Sequence, residues 1–440
     1  MSTAPRPATI ARELENICGA ANVRSDEPSL KARAIDGVVP QGIVAPATPD
    51  EVAAVLKFAA ARELVVVPVG GFSRQHIGRA PARVDIVVEL TRMNAIQYYE
   101  PGDLTIGVQA GAKLADVLMH IESHGQMLPL DPASAARTSI GGTVATCASG
   151  PLRHGYGTVR DFCLGVQFAT AEGKVAKAGG RVVKNVAGYD VTKLMVGSYG
   201  TLAVITSANF RVYPRPQQTR TFAGQFDSTE DALRARNAVV LKSALTPLAF
   251  DVLSPEASQL LMPQVARHAW TLLLRAGGSD NVLGRYRHDL GTMVTWESEG
   301  DAEARLWTTV ADFPNSCFER DPNAMVVRVA VPQQELARVV EAAIETADAN
   351  GFNTVWAGRA ITPIHIAFTP TNGGRNYQAV LATLRKAVGN DGSAVVTHCP
   401  TDVKRAINVW GATAADLNAM QTVKRTLDPG DILNRGRFLL

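Results

Sequence analysis

Ile140-Gly141-Gly142-Thr143-Val144-Ala145-Thr146-Cys147-Ala148-Ser149-Gly150-Pro151 decides how this chain is read, because its small side chains leave main chain open to a large ligand. Lacking a Cβ, Gly141 and Gly142 can take positive φ and let a ligand approach backbone N–H groups. Thr138, Ser139, Thr143, Thr146 and Ser149 add hydroxyls that can donate to a phosphate or a ring edge. A turn packing strand against helix explains one such segment equally well. A second segment tips the balance. Leu64 to Val69 reads as a buried strand that runs into Gly70-Gly71-Phe72-Ser73-Arg74, with Gly78 closing the turn. Successive N–H groups of such a loop form an anion nest, and Ser73 and Arg74 supply further donors for a diphosphate. No G-x-G-x-x-G opens a helix and no G-x-x-x-x-G-K-[ST] occurs, which disfavours a nicotinamide Rossmann site and a nucleotide-hydrolysing P-loop.

Working outward, 440 residues suffice for two or three domains with substantial cores. A net charge of +3 without long Lys/Arg runs gives nucleic-acid binding no support. MSTAPRPATIARELENICGA lacks an apolar signal region and no apolar stretch has spanning length, so the expectation is a cytoplasmic protein without a membrane span. Cys18, Cys147, Cys163, Cys317 and Cys399 form no C-x-x-C pair, which argues against an iron–sulfur cluster or structural zinc in this chain.

Thr48-Pro49-Asp50-Glu51 reads as a helix start ahead of the Val65 to Val67 strand. Leu104 to Gln109 alternates as a strand, Leu114 to Ile121 as a helix, and Cys163 to Lys177 as a hairpin around Glu172-Gly173. This mixture suits an α+β fold with two lobes clasping a dinucleotide. Tyr213-Pro214-Arg215-Pro216 reads as an extended linker between domains. Beyond it, strands at 221–226, 248–253, 271–275, 325–331, 354–358, 364–368 and 394–398 alternate with helices starting at Ser228 and spanning 334–349 and 377–388. Repeated β-α-β units with antiparallel returns predict a ferredoxin-like cap or substrate domain. The boundaries are 1–216, 217–405 and 406–440, the last containing a helix from Ala414 to Thr426 with Thr413 as its cap.

Pro68-Val69-Gly70-Gly71, Leu128-Pro129-Leu130-Asp131-Pro132, Ile140-Gly141-Gly142 and Gly197-Ser198-Tyr199-Gly200 through Thr206 fall in the order and spacing of the vanillyl-alcohol-oxidase (PCMH) type FAD-binding domain, which the chain resembles. Residues Asp103 to Pro214 resemble the FAD-binding E subunit of bacterial glycolate oxidase more narrowly, most of all in Gly180-Arg181-Val182-Val183-Lys184-Asn185-Val186-Ala187-Gly188-Tyr189-Asp190, and Leu427 to Phe438 resembles the family's closing segment. The resemblance covers nearly the whole chain, most strongly its first half. It implies an FAD-binding subunit oxidising glycolate-type 2-hydroxyacids, with a second flavoprotein and an iron–sulfur protein as partners. The location would be cytoplasmic, or peripheral at the inner face of the membrane through those partners. It also implies that residues 406–440 return to the FAD domain. FAD contacts carry over to Pro68, Val69, Gly70, Gly71, Phe72, Ser73, Arg74 and Gly78 in the first loop. In the second region they carry over to Pro132, Thr138, Gly141, Gly142, Thr143, Ala148, Ser149, Gly150, Gly155 and Tyr156, and later to Gly200 and Ile205. Phe72 stands where some relatives have a flavin-linking His, which implies non-covalent FAD. Cys147 stands where Asn is usual and Arg435 where Pro is usual, and neither removes a glycine needed for backbone approach.

A flavin performs hydride transfer itself, so the protein needs a proton acceptor and a carboxylate holder. Arg328, Arg359 and Arg275 are strand-borne guanidiniums suited to a carboxylate, although an outward sheet face explains each singly. His365 and His398 are the candidate proton acceptors by type. They lack the paired-histidine strings of the related D subunit, so no metal site is expected and each reads equally as a core histidine. Adjacent strand positions put Cys399 and His398 on opposite faces, against a nucleophile pair. His76, Arg153 and His154 are further candidates beside the FAD loops. Lys184, Asn185, Tyr189 and Asp190 could contact flavin or a partner, with Asp190 as a helix cap the simpler reading. Two rival readings are a stand-alone FAD-linked 2-hydroxyacid dehydrogenase and a non-catalytic FAD relay, the latter favoured by the missing histidine pairs.

Overall fold

The computed structural model describes residues 7–182, 189–263, 269–371, 374–411 and 417–438. In the first lobe Val66–Val69, Ile86–Glu89 and Gly42–Val44 pair in parallel, with Val23–Arg24 antiparallel at the edge. The Pro49–Ala61 helix starts where Thr48 accepts from the Glu51 N–H, and it buries Val52, Val55, Leu56 and Ala59. The second lobe is a five-stranded antiparallel sheet ordered Ile96–Glu100, Thr105–Gln109, Val204–Arg211, Cys163–Ala169, Val175–Gly179. One apolar core, including Val66, Ile86, Ile106, Val108, Phe168 and Phe210, joins the two lobes and fixes the cleft between them.

The 140–151 stretch departs from the expected loop. Ile140–Thr146 is a helix, started by Ser139, whose side chain accepts from the Gly142 N–H, and ended by Cys147 at φ 47°. Gly141 and Gly142 therefore carry no positive φ. Gly141 is required by contact instead, since a Cβ there would lie 2.7 Å from that of Ala110. The 213–216 segment is also not a free linker. Tyr213–Pro214 pairs with Gln126–Met127, and the Arg215 N–H donates to the Gly125 carbonyl.

The cap is one antiparallel eight-stranded sheet built from two ferredoxin-like halves. The first half has strands β1 (Gln218–Phe226), β2 (Ala249–Leu253), β3 (Trp270–Gly278) and β4 (Trp296–Glu299), with helices α1 (Thr229–Lys242) and α2 (Asp280–Leu290). The second has β5 (Met325–Ala330), β6 (Phe352–Arg359), β7 (Ile364–Pro370) and β8 (Ser393–His398), with α3 (Leu336–Ala349) and α4 (Tyr377–Val388). The order β4-β1-β3-β2-β6-β7-β5-β8 repeats one arrangement and its reverse, joined edge to edge through β2 and β6. This joint sets Asp251 directly opposite Arg359. The cap's core takes in Val409 and Trp410, beyond the 405 boundary, because the Val396 N–H donates to the Val409 carbonyl.

The chain then returns to the first lobe through the Leu417–Leu427 helix; Thr413 and residues 414–416 lie outside the described residues. The Val66 N–H donates to the Ile432 carbonyl and the Asn434 N–H to the Val66 carbonyl, which seats 432–434 beside the strand leading into the first glycine loop. Among the described residues no helix is long and apolar enough to cross a membrane.

Candidate functional site

An open cleft lies between the lobes. A Cβ at Gly70 would sit 1.9 Å from Ser139 Oγ and one at Gly71 1.5 Å from the Arg137 carbonyl, so only glycine lets the first loop lie against the second. At Gly142 a Cβ would meet only Ser139 Oγ, at 3.2 Å, and would otherwise enter the cleft. Pro68, Val69, Gly70, Gly71, Phe72, Ser73, Arg74, Gly141, Gly142, Gly200 and Ile205 line this cleft, while Ala148 and Ser149 line the adjoining cavity. The other seven positions carried over to FAD form neither wall. Thr138 and Thr143 are buried and donate to the Ser134 and Ser139 carbonyls. Gly78 packs against the Arg437 carbonyl, Gly150 against that of Asp131 and Gly155 against that of Leu248. Tyr156 points its hydroxyl at Met127 Sδ, and Pro132 is buried outside the walls. Thr146, like Thr143, donates back into its own helix, so most hydroxyls expected to face phosphate serve the backbone.

The return of the C-terminus to the FAD domain was expected from the resemblance, but which of its side chains reach the cleft was not. Asn434 Nδ2 donates to the Tyr199 carbonyl (2.7 Å), and Arg437 clamps the glycine loop through the Gln75 and Ile77 carbonyls. The string 427–438 was visible; its pairing with residues some 360 positions earlier carried no local signal. Arg74 donates to the Ala133 carbonyl (2.7 Å) and lines both spaces. Burial brings its pKa, like that of Arg437, down to about 10, so both stay cationic near neutrality. Among the described residues, Arg74 Nε, Arg437 Nε and Asn434 Oδ1 are buried without partners. Orphaned guanidinium donors on an open, glycine-walled cleft fit an FAD, whose diphosphate and ring edges offer acceptors.

Next to the cleft is an open cavity that gathers Arg328, Arg359, His365 and His398 from the cap with Arg74, His76, Cys147, Arg153 and Tyr199. Strand register explains part of this: Arg328 on β5 faces His365 on β7 directly. Arg359 pairs with Asp251 (2.9 Å) and donates to the Gly150 carbonyl (3.1 Å), tying cap to FAD domain. Arg275 is absent from the cavity wall and instead pairs with Glu303 (2.7 Å).

The histidines differ in what they have left to offer. Asn315 donates its amide to Asp312 and Ser134, so its Oδ1 accepts from His398 Nε2 (3.0 Å), and His398 Nδ1 meets Thr397 Oγ1 (3.1 Å). His398 also stacks on His76, with centroids 4.2 Å apart. Burial, with Lys404 and Arg74 nearby, brings His398 down to about 3. His365 is held well below the usual histidine range by burial and then by Arg359 and Arg328. Among the described residues its ring nitrogens make no hydrogen bond. His154 lies outside both spaces, edge-on to Phe250. Cys399 is buried, with its thiol pushed up to about 12. Asp190 caps its helix through the Lys193 N–H, Tyr189 is solvent-exposed, and Lys184 and Asn185 lie outside the described residues. Among the described residues no three His, Cys, Asp or Glu side chains cluster to hold a metal.

A family model described as FAD binding domain matches residues 40–179, and one described as FAD linked oxidases, C-terminal domain, matches 215–438, just over half the chain. The chain belongs to the FAD-linked oxidases. It is an FAD-dependent oxidoreductase with the two-lobed PCMH-type fold. Over 98% of this chain and 96% of the other, the structure superposes on that of p-cresol methylhydroxylase with TM-score 0.77 at 15% identity, a likeness of fold alone. Glycolate oxidase subunit GlcD of Bacillus subtilis (strain 168) is 26% identical over 425 residues, which cover 91% of this chain and 89% of that protein. Subunit GlcE of Escherichia coli (strain K12) is 42% identical over 149 residues, 34% of this chain and 42% of GlcE. The E-type likeness is thus a local one, and the D-type likeness runs through both domains of this FAD-linked oxidase.

Proposed function

We propose that this FAD-linked oxidase oxidises a 2-hydroxyacid to the 2-oxoacid, and does so as a subunit of a glycolate oxidase-type assembly with a second flavoprotein and an iron–sulfur partner. The observation that carries the reading is the cavity joined to the FAD cleft, lined by arginines and neutral histidines. Bound in the cleft, FAD supplies the two-electron acceptor. Arg328 offers its fork to the substrate carboxylate. His365, opposite it and without a hydrogen bond among the described residues, takes the hydroxyl proton. A substrate carboxylate beside His365 offsets the field of Arg328 and Arg359, so its proton affinity rises on binding. His398 has both nitrogens engaged and acts by holding the wall. Non-covalent FAD follows from Phe72 at the loop position open to a linking His.

The iron–sulfur partner is motivated by the five scattered cysteines, four of them buried. The stand-alone dehydrogenase reading keeps one specific support, that cofactor cleft and substrate cavity lie within one chain, which weighs against a non-catalytic relay. Anaerobic addition of 2-hydroxyacids to the FAD-loaded chain tests the reaction: flavin bleaching is the expected result, and its absence with every 2-hydroxyacid removes the reading. Affinity purification from the native source tests the assembly. Recovery of the chain alone, fully active with its physiological acceptor, would leave the stand-alone enzyme.

A further inference from the structure

The cavity beside the FAD cleft has four arginines in its wall, Arg74, Arg153, Arg328 and Arg359, and no acidic side chain among the described lining residues. Two of these charges are engaged. Arg359 is ion-paired with Asp251, and Arg74 sits at the junction with the FAD cleft, bonded to the Ala133 carbonyl and within the field of Asp312. Arg153 and Arg328 differ: among the described residues their side chains make no hydrogen bond or ion pair. They come from different domains, Arg153 from the short Arg153–Tyr156 helix of the FAD domain and Arg328 from β5 of the cap. After burial, Arg328 is the leading influence lowering the Arg153 pKa, so the two guanidiniums repel across the cavity. His76, His365 and His398 are all held neutral and compensate nothing.

A monocarboxylate balances one such charge and leaves the other uncompensated in a partly desolvated space. We infer that the substrate is a 2-hydroxyacid with a second carboxylate, a short hydroxydicarboxylate that spans Arg328 and Arg153. The carboxylate next to the reacting carbon lies on Arg328, because His365, the proton acceptor, stands opposite that arginine. The distal carboxylate lies on Arg153. This rests on the 2-hydroxyacid reading above and makes Arg153 the residue that sets specificity within it.

The test uses the full chain loaded with FAD, under anaerobic conditions, and compares flavin bleaching by glycolate and both hands of lactate with that by both hands of malate and 2-hydroxyglutarate. At equal subsaturating concentration, one dicarboxylate is expected to bleach the flavin about 100-fold faster than any monocarboxylate. Arg153→Met is expected to shrink that ratio about 100-fold, and Arg153→Lys to restore part of it. Glycolate or lactate matching the best dicarboxylate in the unmodified protein overturns the inference and leaves the 2-hydroxyacid reading standing. A ratio unchanged in Arg153→Met, accompanied by a shifted flavin spectrum, assigns Arg153 to the cofactor and also overturns it. Bleaching by none of these acids removes both.

Discussion

At the scale of single residues, the structure changes the reason for which a glycine matters. Gly142 was singled out for backbone freedom, yet it sits in a helix, and what matters is the space its missing Cβ leaves in the cleft. Gly142→Val is therefore expected to lose FAD while remaining folded, read as flavin absorbance per protein after gel filtration. Full occupancy would dissociate this helix from the cofactor site. Cys147→Ala is expected to retain FAD, because the Cys147 thiol donates no hydrogen bond among the described residues. It should cost at most about 1 kcal/mol, since alanine shares the strain of a left-handed φ. Arginine and histidine candidates were legible as residue types, but a lone Arg328 or His365 on an apolar strand reads the same whether it faces solvent, core or cavity. Pairing of β5 with β7 is what sets them side by side.

At the scale of elements, the C-terminal segment does more for the site than its distance along the chain implies. Lys424 on the Leu417–Leu427 helix buries its ammonium between the Thr201 and Leu433 carbonyls, at 2.9 and 3.1 Å, and the Asp428 carboxylate at 2.5 Å. Asp428 in turn accepts from the Ile432 and Leu433 N–H groups, which fixes the turn delivering Asn434 and Arg437 to the cleft. Lys424→Met leaves that carboxylate buried without its cation, and a loss of about 3–5 kcal/mol is expected. Thermal unfolding with and without FAD checks this, and a melting temperature within 2–3 °C of wild type, small against the roughly 2–4 °C per kcal/mol of a domain this size, would contradict it. The cap's strands at 221–226, 248–253, 271–275, 325–331, 354–358, 364–368 and 394–398 and three of its helices were legible to within about three residues, because 3.6-residue and two-residue periodicities are local properties, whereas α2, β4 and the helices Pro255–Leu261, Gly300–Ala311 and Phe313–Arg320 were not read. That its two halves join through β2 and β6 was not, since edge-strand pairing depends on which edges remain free once each half has folded.

Across the whole molecule, the seam between domains contains a titratable group. Asp131 of the FAD domain accepts from the Leu152 N–H through Oδ2, while its Oδ1 is buried without a partner among the described residues. Burial outweighs that hydrogen bond and the nearby Arg359, and brings its pKa up from 3.8 to about 7. A carboxyl with a raised folded-state pKa contributes stability that is fully present below about pH 4 and is lost as pH rises through about 7. Asp131→Asn is thus expected to flatten this part of the pH–stability curve and to gain roughly 2–4 kcal/mol at pH 8 relative to wild type. Denaturant unfolding at pH 5 and pH 8 measures it, and an equal effect at both values would place the titration elsewhere. The sequence by itself determined the α+β character, the glycine runs, most of the cap's strands and the lack of cluster-type cysteine spacing, because glycine runs, periodicity and spacing are written in consecutive residues. Only the tertiary structure decided that Arg437 lines the cleft and that Arg153, Arg328 and His365 line the cavity beside it. Their meeting depends on long-range strand register and on a C-terminus folding back beside Val66, and packing free energy summed over the whole chain selects those arrangements.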